Sequence, residues 1–170
     1  MKNVLEFLEN TAPVCGDKTA FSDGVESLSF AELAQLSRAG GSALIARGLK
    51  NEPVAVFMKK APKTIAAFFA VLYAGCYYVP LDASMPLYRL QMIFEQLSPR
   101  AVVCDEASRE LAERLSPEGS VISASELFAV EENAAALAAV RAKCIDTDPA
   151  YIVFTSGSTG VPKGVTGCHR

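Results

Sequence analysis

The segment with the clearest chemical content spans residues 155–164 and reads Thr-Ser-Gly-Ser-Thr-Gly-Val-Pro-Lys-Gly. Three glycines, two serines, two threonines and one lysine occupy these ten positions. Glycines adopt positive φ and let backbone amides approach an anion, hydroxyl groups add hydrogen-bond donors, and the lysine adds positive charge. This composition predicts a loop that binds phosphate groups.

Two other interpretations fit this segment less well. A Walker loop requires Gly-x-x-x-x-Gly-Lys-Ser/Thr, whereas Gly160 is followed here by Val161-Pro162, and Lys163 by Gly164. Pro162 fixes its own φ and removes one amide donor, so it stiffens the approach of the lysine. A flexible Ser/Gly linker would not explain why the segment follows an apolar strand or why it contains this lysine.

Composition limits the class of protein. The 170 residues are 51% hydrophobic and 21% charged, with a net charge of -3, which predicts one compact unit. Without a long lysine or arginine run, the charge pattern indicates neither nucleic acid nor a membrane surface as a partner. The start of the chain lacks the apolar run of a signal peptide. Five cysteines without a Cys-x-x-Cys pair are interpreted as reduced residues of a cytoplasmic protein: Cys15, Cys76, Cys104, Cys144 and Cys168.

The elements that must position the phosphate loop alternate between helices and strands. The first well-signalled helix begins at Ser29, where Ser29 and Glu32 have capping-box spacing, and ends at Gly48. Residues 64–81 carry no charge, but Gly75 and Pro80 divide them into a buried helix and a buried strand instead of one membrane span. The other predicted elements are a helix near 1–10, strand 53–58, helix 62–74, strand 76–79, helix 86–97, strand 101–104, helix 107–115, strand 120–122, helix 123–143 and strand 151–154.

This alternation predicts an α/β fold with a mainly parallel sheet and helices on both faces. Sheets of this kind bind ligands at the carboxyl ends of their strands. The segment 155–164 follows the last predicted strand directly. Its position and its composition therefore predict the same function.

Three ordered segments resemble motifs of the adenylate-forming (ANL) superfamily. Tyr151-Ile-Val-Phe-Thr-Ser-Gly-Ser-Thr-Gly-Val-Pro-Lys-Gly-Val165 resembles its signature loop. Leu72-Tyr-Ala-Gly-Cys-Tyr-Tyr-Val-Pro-Leu-Asp82 resembles the Leu-Lys-Ala-Gly-x-x-Tyr-Val-Pro-Leu/Ile-Asp core of amino-acid-activating members, and Leu28-Ser-Phe-Ala-Glu-Leu33 resembles their first core motif. The resemblance covers nearly the whole chain. It is strongest to adenylation domains of nonribosomal peptide synthetases and to stand-alone aminoacyl-carrier-protein ligases.

The resemblance implies a reaction and a site. An amino acid carboxylate attacks the α-phosphate of ATP, pyrophosphate leaves, and the acyl group then passes to the phosphopantetheine thiol of a carrier protein. The loop would hold the leaving pyrophosphate together with Mg²⁺. The residues implied to bind the phosphates are Thr155, Ser156, Gly157, Ser158, Thr159, Gly160, Lys163 and Gly164.

The resemblance also limits what we expect of the chain. Residues 1–170 would form the first part of the large N-terminal domain, without the later subdomains or the C-terminal domain and its catalytic lysine. We therefore expect no catalytic residue and no metal ligand in this chain, and no adenylate formation by it alone. Because Met1 precedes the motifs directly, the parent fits a stand-alone ligase or a chain-initiating module equally well.

Several other residues have less specific interpretations. Asp82 is expected to complete a turn, and His169, the single histidine, either shapes a pocket or packs against a neighbouring element. Tyr73 stands where the family motif has lysine, and residues 166–168 are less β-branched than in the motif. Four aromatic residues are expected to lie in the core: Phe68, Phe69, Tyr77 and Tyr78. Three lysines are expected to be solvated: Lys59, Lys60 and Lys63.

Three alternatives remain open at this point. An acyl-CoA or aryl-acid ligase of the same superfamily is disfavoured by the Tyr-Tyr-Val-Pro-Leu-Asp segment, residues 77–82. A non-catalytic nucleotide-binding module would use the same loop without a reaction. A purely structural protein would leave residues 155–164 unexplained.

Overall fold

The computed structural model describes residues 3–116, 120–156 and 160–170 of the chain. Its helices are α1 (Leu5–Cys15), α2 (Phe30–Ala46), α3 (Pro62–Tyr73), α4 (Leu87–Leu97), α5 (Arg109–Leu115), α6 (Ala124–Phe128) and α7 (Ala134–Arg141). Its strands are β1 (Thr19–Ser22), β2 (Ser27–Ser29), β3 (Pro53–Phe57), β4 (Tyr77–Pro80), β5 (Ala101–Cys104), β6 (Ser120–Ser123), β7 (Pro149–Ser156) and β8 (Pro162–Cys168).

Six of these strands form one sheet in the order β6-β5-β3-β4-β7-β8. The four pairs from β6 to β7 are parallel, and β8 runs antiparallel to β7 at the sheet edge. Strands β1 and β2 form a separate antiparallel hairpin. The parallel pairs, joined through helices, confirm the predicted α/β fold class.

Helices cover both faces of the central strands. On β3, Val54 and Val56 lie in a cluster with residues of α2 and α3, whereas Ala55 and Phe57 lie in a cluster with residues of α4 and α5. This division follows from the two-residue period of a strand. All four side chains are at most 1% exposed, so the sheet is buried on both sides at its centre.

The contact between α2 and α3 depends on two glycines. A Cβ atom on Gly40 would lie 2.7 Å from the Cβ of Ala70, and one on Gly41 would lie 2.6 Å from the Cβ of Tyr73. The two helices therefore approach more closely than any larger residue at these positions allows.

Local signals set the ends of several helices as predicted. Ser29 accepts a hydrogen bond from the amide of Glu32, whose carboxylate accepts one from the amide of Ser29, so the predicted capping box begins α2. Gly75, at φ +67°, separates α3 from β4. Within the described residues, no helix is long and apolar enough to span a membrane.

One sequence-based prediction is wrong, and two elements of the structure were not predicted. The predicted helix over 123–143 is two helices, because the side chain of Asn133 caps a new start by accepting from the amide of Ala136 at 3.0 Å. The β1–β2 hairpin was not predicted, because its strands are only four and three residues long. Strand β8 was also missed, since its first residues belong to the segment interpreted as a loop.

Candidate phosphate-binding site

The predicted phosphate-binding segment lies in a β-hairpin. Strand β7 is parallel to β4 and ends at the same edge of the sheet, with Thr155 and Ser156 as its last two residues. Thr155 pairs with Lys163 and Ser156 pairs with Pro162 at the start of β8. The predicted loop is therefore shorter than expected, because both of its ends are strand. The predicted binding residues Gly157, Ser158 and Thr159 lie outside the described residues.

Thr155 and Lys163 share one face of this hairpin. Residues that pair directly across an antiparallel ladder project to the same side of the sheet. Both residues are exposed, and the Thr155 hydroxyl donates to the backbone oxygen of Lys163 at 3.4 Å. A hydroxyl group and an ammonium group thus lie next to the turn, which is a donor set suited to phosphate oxygens.

The two described glycines of the segment differ in their constraints. Gly160 adopts φ +78°, and a Cβ there would meet no atom within 4 Å, so its requirement is conformational. A Cβ on Gly164 would lie 2.9 Å from Cγ2 of Ile152 and 3.5 Å from the ring of Phe154. Gly164 therefore lets β8 pack against the side chains of β7. This contact accounts for the glycine without a phosphate.

A second group of residues lines a crevice at the same edge of the sheet. A cavity of about 670 Å³ lies between the ends of β3 and β4 and the start of α3, with Lys59, Lys60 and Asp82 among its lining residues. Connections from β3 and β4 leave toward opposite faces, which is the arrangement that opens ligand crevices in such sheets. Sequence reasoning treated the two lysines as solvated ends. Their position directly after β3 was the signal that could have identified them.

Two aspartates at this edge have structural hydrogen bonds. Asp105 accepts from the amides of Lys59 and Ser108 at 2.8 and 2.9 Å, and so joins the ends of β3 and β5. Burial would raise the pKa of Asp105, but these hydrogen bonds hold it below its ordinary value. Asp82 accepts from the amide of Ser84 at 2.8 Å, which also lowers its pKa. The turn role expected for Asp82 agrees with this contact.

His169 lies away from the hairpin turn and packs against the start of the chain. It is 8% exposed, its Nδ1 lies 3.5 Å from the donating amide of Val4, and its Nε2 lies 3.5 Å from Nδ2 of Asn3. Burial lowers the pKa of His169. The geometry thus favours a packing role for this residue over contact with phosphate.

The aromatic residues near the hairpin form a continuous row. Phe68 stacks on Tyr78 with ring centroids 4.4 Å apart, and Tyr78 lies 5.8 Å from Tyr151. They connect α3, β4 and β7. Phe68 and Tyr78 are partly buried against the core, as expected, whereas Tyr151 is 37% exposed. Among the described residues, no group of three or more His, Cys, Asp or Glu side chains is arranged to hold a metal ion.

The chain is similar to several known synthetases. Nonribosomal peptide synthetase sidD of Aspergillus fumigatus is 31% identical over 97% of this chain, which spans 8% of sidD. Tyrocidine synthase 1 of Brevibacillus parabrevis is 29% identical over 99% of this chain, which spans 15% of that protein. The structure of the nonribosomal peptide synthetase FmoA3, bound to α-methyl-L-serine-AMP, matches 99% of this chain with a TM-score of 0.84 and 27% identity, and the match covers 18% of FmoA3.

The family assignment follows from a match that is nearly as long as the chain. Residues 8–170 match the family described as AMP-binding enzyme. This span includes the α/β sheet and the β7–β8 hairpin together. The chain therefore belongs to the AMP-binding enzyme family.

Proposed function

We propose that this chain supplies the pyrophosphate-binding hairpin of an enzyme that activates an amino acid. The overall reaction joins an amino acid carboxylate to the α-phosphate of ATP and releases pyrophosphate. The aminoacyl group then passes to the phosphopantetheine thiol of a carrier protein. The observation that carries the proposal is the β7–β8 hairpin, in which Thr155 and Lys163 pair directly at the carboxyl end of β7.

Each described group in the hairpin has a distinct part in this proposal. Lys163 places an ammonium group near the β- and γ-phosphates, where it stabilises the negative charge that develops on the leaving pyrophosphate. Thr155 is held close by its cross-strand pairing, and its hydroxyl, which donates to the Lys163 carbonyl in this structure, would rotate to donate to a phosphate oxygen. Gly160 provides a backbone conformation that other residues adopt only with strain. Bound Mg²⁺ would add further positive charge at the phosphates.

The choice of an amino acid as substrate has two supports. The segment 72–82 has the pattern of amino-acid-activating members. FmoA3, which matches this chain over nearly its whole length, was crystallised with the adenylate of an amino acid, α-methyl-L-serine. The carrier-protein step is proposed by analogy with such synthetases and rests on no described residue of this chain.

We further propose that the 170-residue chain does not complete the reaction by itself. The described hairpin and crevice contain cationic and hydroxyl groups suited to phosphate. Each relative and solved structure named above is more than five times as long as the part it shares with this chain. The amino acid pocket and the remaining catalytic groups are proposed to lie in those additional regions.

The experiment compares Lys163→Ala with Lys50→Ala, a lysine at the end of the sheet where the parallel strands begin. Pyrophosphate binding to the 170-residue chain is measured by titration calorimetry. Lys163→Ala should weaken binding about tenfold, because a charge-assisted contact to phosphate contributes roughly 1.5 kcal/mol. Lys50→Ala, which is exposed just before β3, should change binding less than about twofold, since a separated surface charge is screened.

Two outcomes would contradict the proposal in different ways. Equal weakening by both substitutions would show that pyrophosphate senses only net charge and does not occupy the hairpin. Appreciable ATP–pyrophosphate exchange by the 170-residue chain would show that it contains a complete active site. Tight ATP binding without exchange, insensitive to added amino acid, would instead favour a non-catalytic nucleotide-binding module.

A further inference from the structure

A second cavity lies on the outer side of the helical layer and shares no residue with the hairpin or with the crevice beside Lys59. Its volume is about 480 Å³, which is within the range of small-molecule sites. Every lining residue belongs to α1, α2, α3 or α7, except Glu132 just before α7. This cavity takes no part in the function proposed above.

The cavity contains a hydroxyl group whose proton has no acceptor. Tyr73 lines the cavity and is 7% exposed, and its buried hydroxyl has no hydrogen-bond acceptor within the described part of the chain. Burial, reinforced by the charge of Glu9, raises the pKa of Tyr73 to about 12, so the hydroxyl keeps its proton at neutral pH. Arg38 and Arg141 lower this pKa, but a guanidinium only donates hydrogen bonds. The acceptor for the Tyr73 proton is therefore a group that enters the cavity, either water or a ligand.

The charges around the cavity are balanced. Arg38 pairs with Glu132 at 2.8 Å, and Arg141 lies 3.3 Å from Glu9. These two arginines and two glutamates are the charged residues of the lining, so it carries no net charge. An anionic ligand would meet both glutamates and gain little from arginines that are already paired. The balance favours an uncharged ligand.

The rest of the lining is apolar and small. Five alanines line the cavity with Pro13 and Leu137. Short side chains on three neighbouring helices leave this space open between their backbones. An apolar body in this space would remove apolar surface from water.

We propose that this cavity binds a small uncharged molecule with an apolar body and a carbonyl oxygen that accepts a hydrogen bond from the Tyr73 hydroxyl. The ligand reaches that hydroxyl when the Arg38 side chain shifts. Arg38 and Glu132 are 36% and 37% exposed, and an ion pair with this exposure adds little to stability, so the shift is accessible. Tyr73 stands where the family motif has lysine, which could not provide an uncharged donor.

The test uses three aromatic probes and ¹³C-methyl alanine NMR on the 170-residue chain. Acetanilide carries a neutral carbonyl, benzoate carries an anionic acceptor, and ethylbenzene carries no acceptor. Acetanilide should shift the cavity alanine methyls of Ala34 and Ala138, and Tyr73→Phe should weaken its binding about tenfold. Ethylbenzene should bind both proteins equally, and benzoate should bind more weakly than acetanilide.

Controls keep the outcome interpretable. Tyr73→Phe removes an unsatisfied buried hydroxyl and keeps the ring, so its melting temperature should equal or exceed that of the parent chain. Tyr88→Phe alters a tyrosine that is 65% exposed on α4 and should leave acetanilide binding unchanged. The inference is wrong if acetanilide fails to shift these methyls at its solubility limit. Equal binding to Tyr73→Phe, or tighter binding of benzoate, would also overturn it.

Discussion

Substitution of Gly41 by alanine tests how closely α2 and α3 must approach. The new Cβ would lie 2.6 Å from the Cβ of Tyr73, 3.3 Å from the backbone oxygen of Ala70 and 3.1 Å from Cδ2 of Leu137. The leucine side chain can rotate, but the other two atoms belong to α3 or are attached directly to its backbone. Ordinary contact begins at 3.4 Å, so α3 must retreat by about 0.8 Å.

The change in the free energy of unfolding is the cost of this strain minus the gain in helix propensity. Alanine stabilises a helix interior by about 1 kcal/mol relative to glycine. Overpacking of a core typically costs about 1–3 kcal/mol, and sometimes more where backbone must move. Because α3 is anchored between α2 and the sheet, we expect the upper part of that range and a net loss of about 1–2 kcal/mol in the free energy of unfolding.

Urea unfolding followed by circular dichroism measures this loss. The midpoint should fall while the slope against urea stays constant, because the substitution changes the native packing and not the area exposed on unfolding. Gln35→Ala, at an exposed position of the same helix, should change the free energy of unfolding by less than about 0.5 kcal/mol. A Gly41→Ala variant as stable as the parent chain, or more stable, would refute the close-approach argument.

Two further predictions concern His169 and Asp105. Burial lowers the pKa of His169 in the folded chain below its ordinary 6.5, Asp148 opposes this shift, and Arg141 adds to it. The stabilisation that the neutral imidazole gives to the fold is therefore complete above pH 6.5, and it is lost as the pH falls toward the pKa of the folded state. Melting temperatures between pH 7.5 and 5.5 should therefore fall more steeply for the parent chain than for His169→Gln, and parallel curves would contradict this. Asp105→Ala should lower the free energy of unfolding by about 1–3 kcal/mol, because two amides lose their acceptor. Asp23→Ala removes a comparable pair of hydrogen bonds, from the amides of Val25 and Glu26 in an exposed turn, and should cost less in the same urea titration; equal losses would count against a special role for the β3–β5 connection.

The fold was predictable where local chemistry and burial agree. The capping box at Ser29 and the stop at Gly75 depend on residues within a few positions, and strand 101–104 is wholly apolar. The break between α6 and α7 was not predictable in the same way. Its alanine-rich sequence favours a continuous helix, but a hydrogen bond from the amide of Asn133 to the Ser42 hydroxyl, 91 positions away, fixes the chain there.

The candidate site was predictable in composition but not in shape. Glycines, hydroxyl residues and Lys163 mark residues 155–164 as a candidate for phosphate binding, because those residue types act through local chemistry. The requirement at Gly164 depends on Ile152 across the ladder, and spacing alone does not report that contact. The lysines of the crevice were missed for the same reason, since their proximity to Asp82 arises from the order of strands in the sheet.

The packing of His169 against Asn3 also has a consequence for the order of folding. This contact closes a loop of 166 positions, whereas the contact of Ser37 with Ala66 between α2 and α3 closes one of 29. The entropy of loop closure makes the longer contact about 1.5 kcal/mol more costly to form from an open chain. The α2–α3 pair is thus favoured to assemble early, and Asn3 meets His169 only after the sheet has brought the two ends of the chain together.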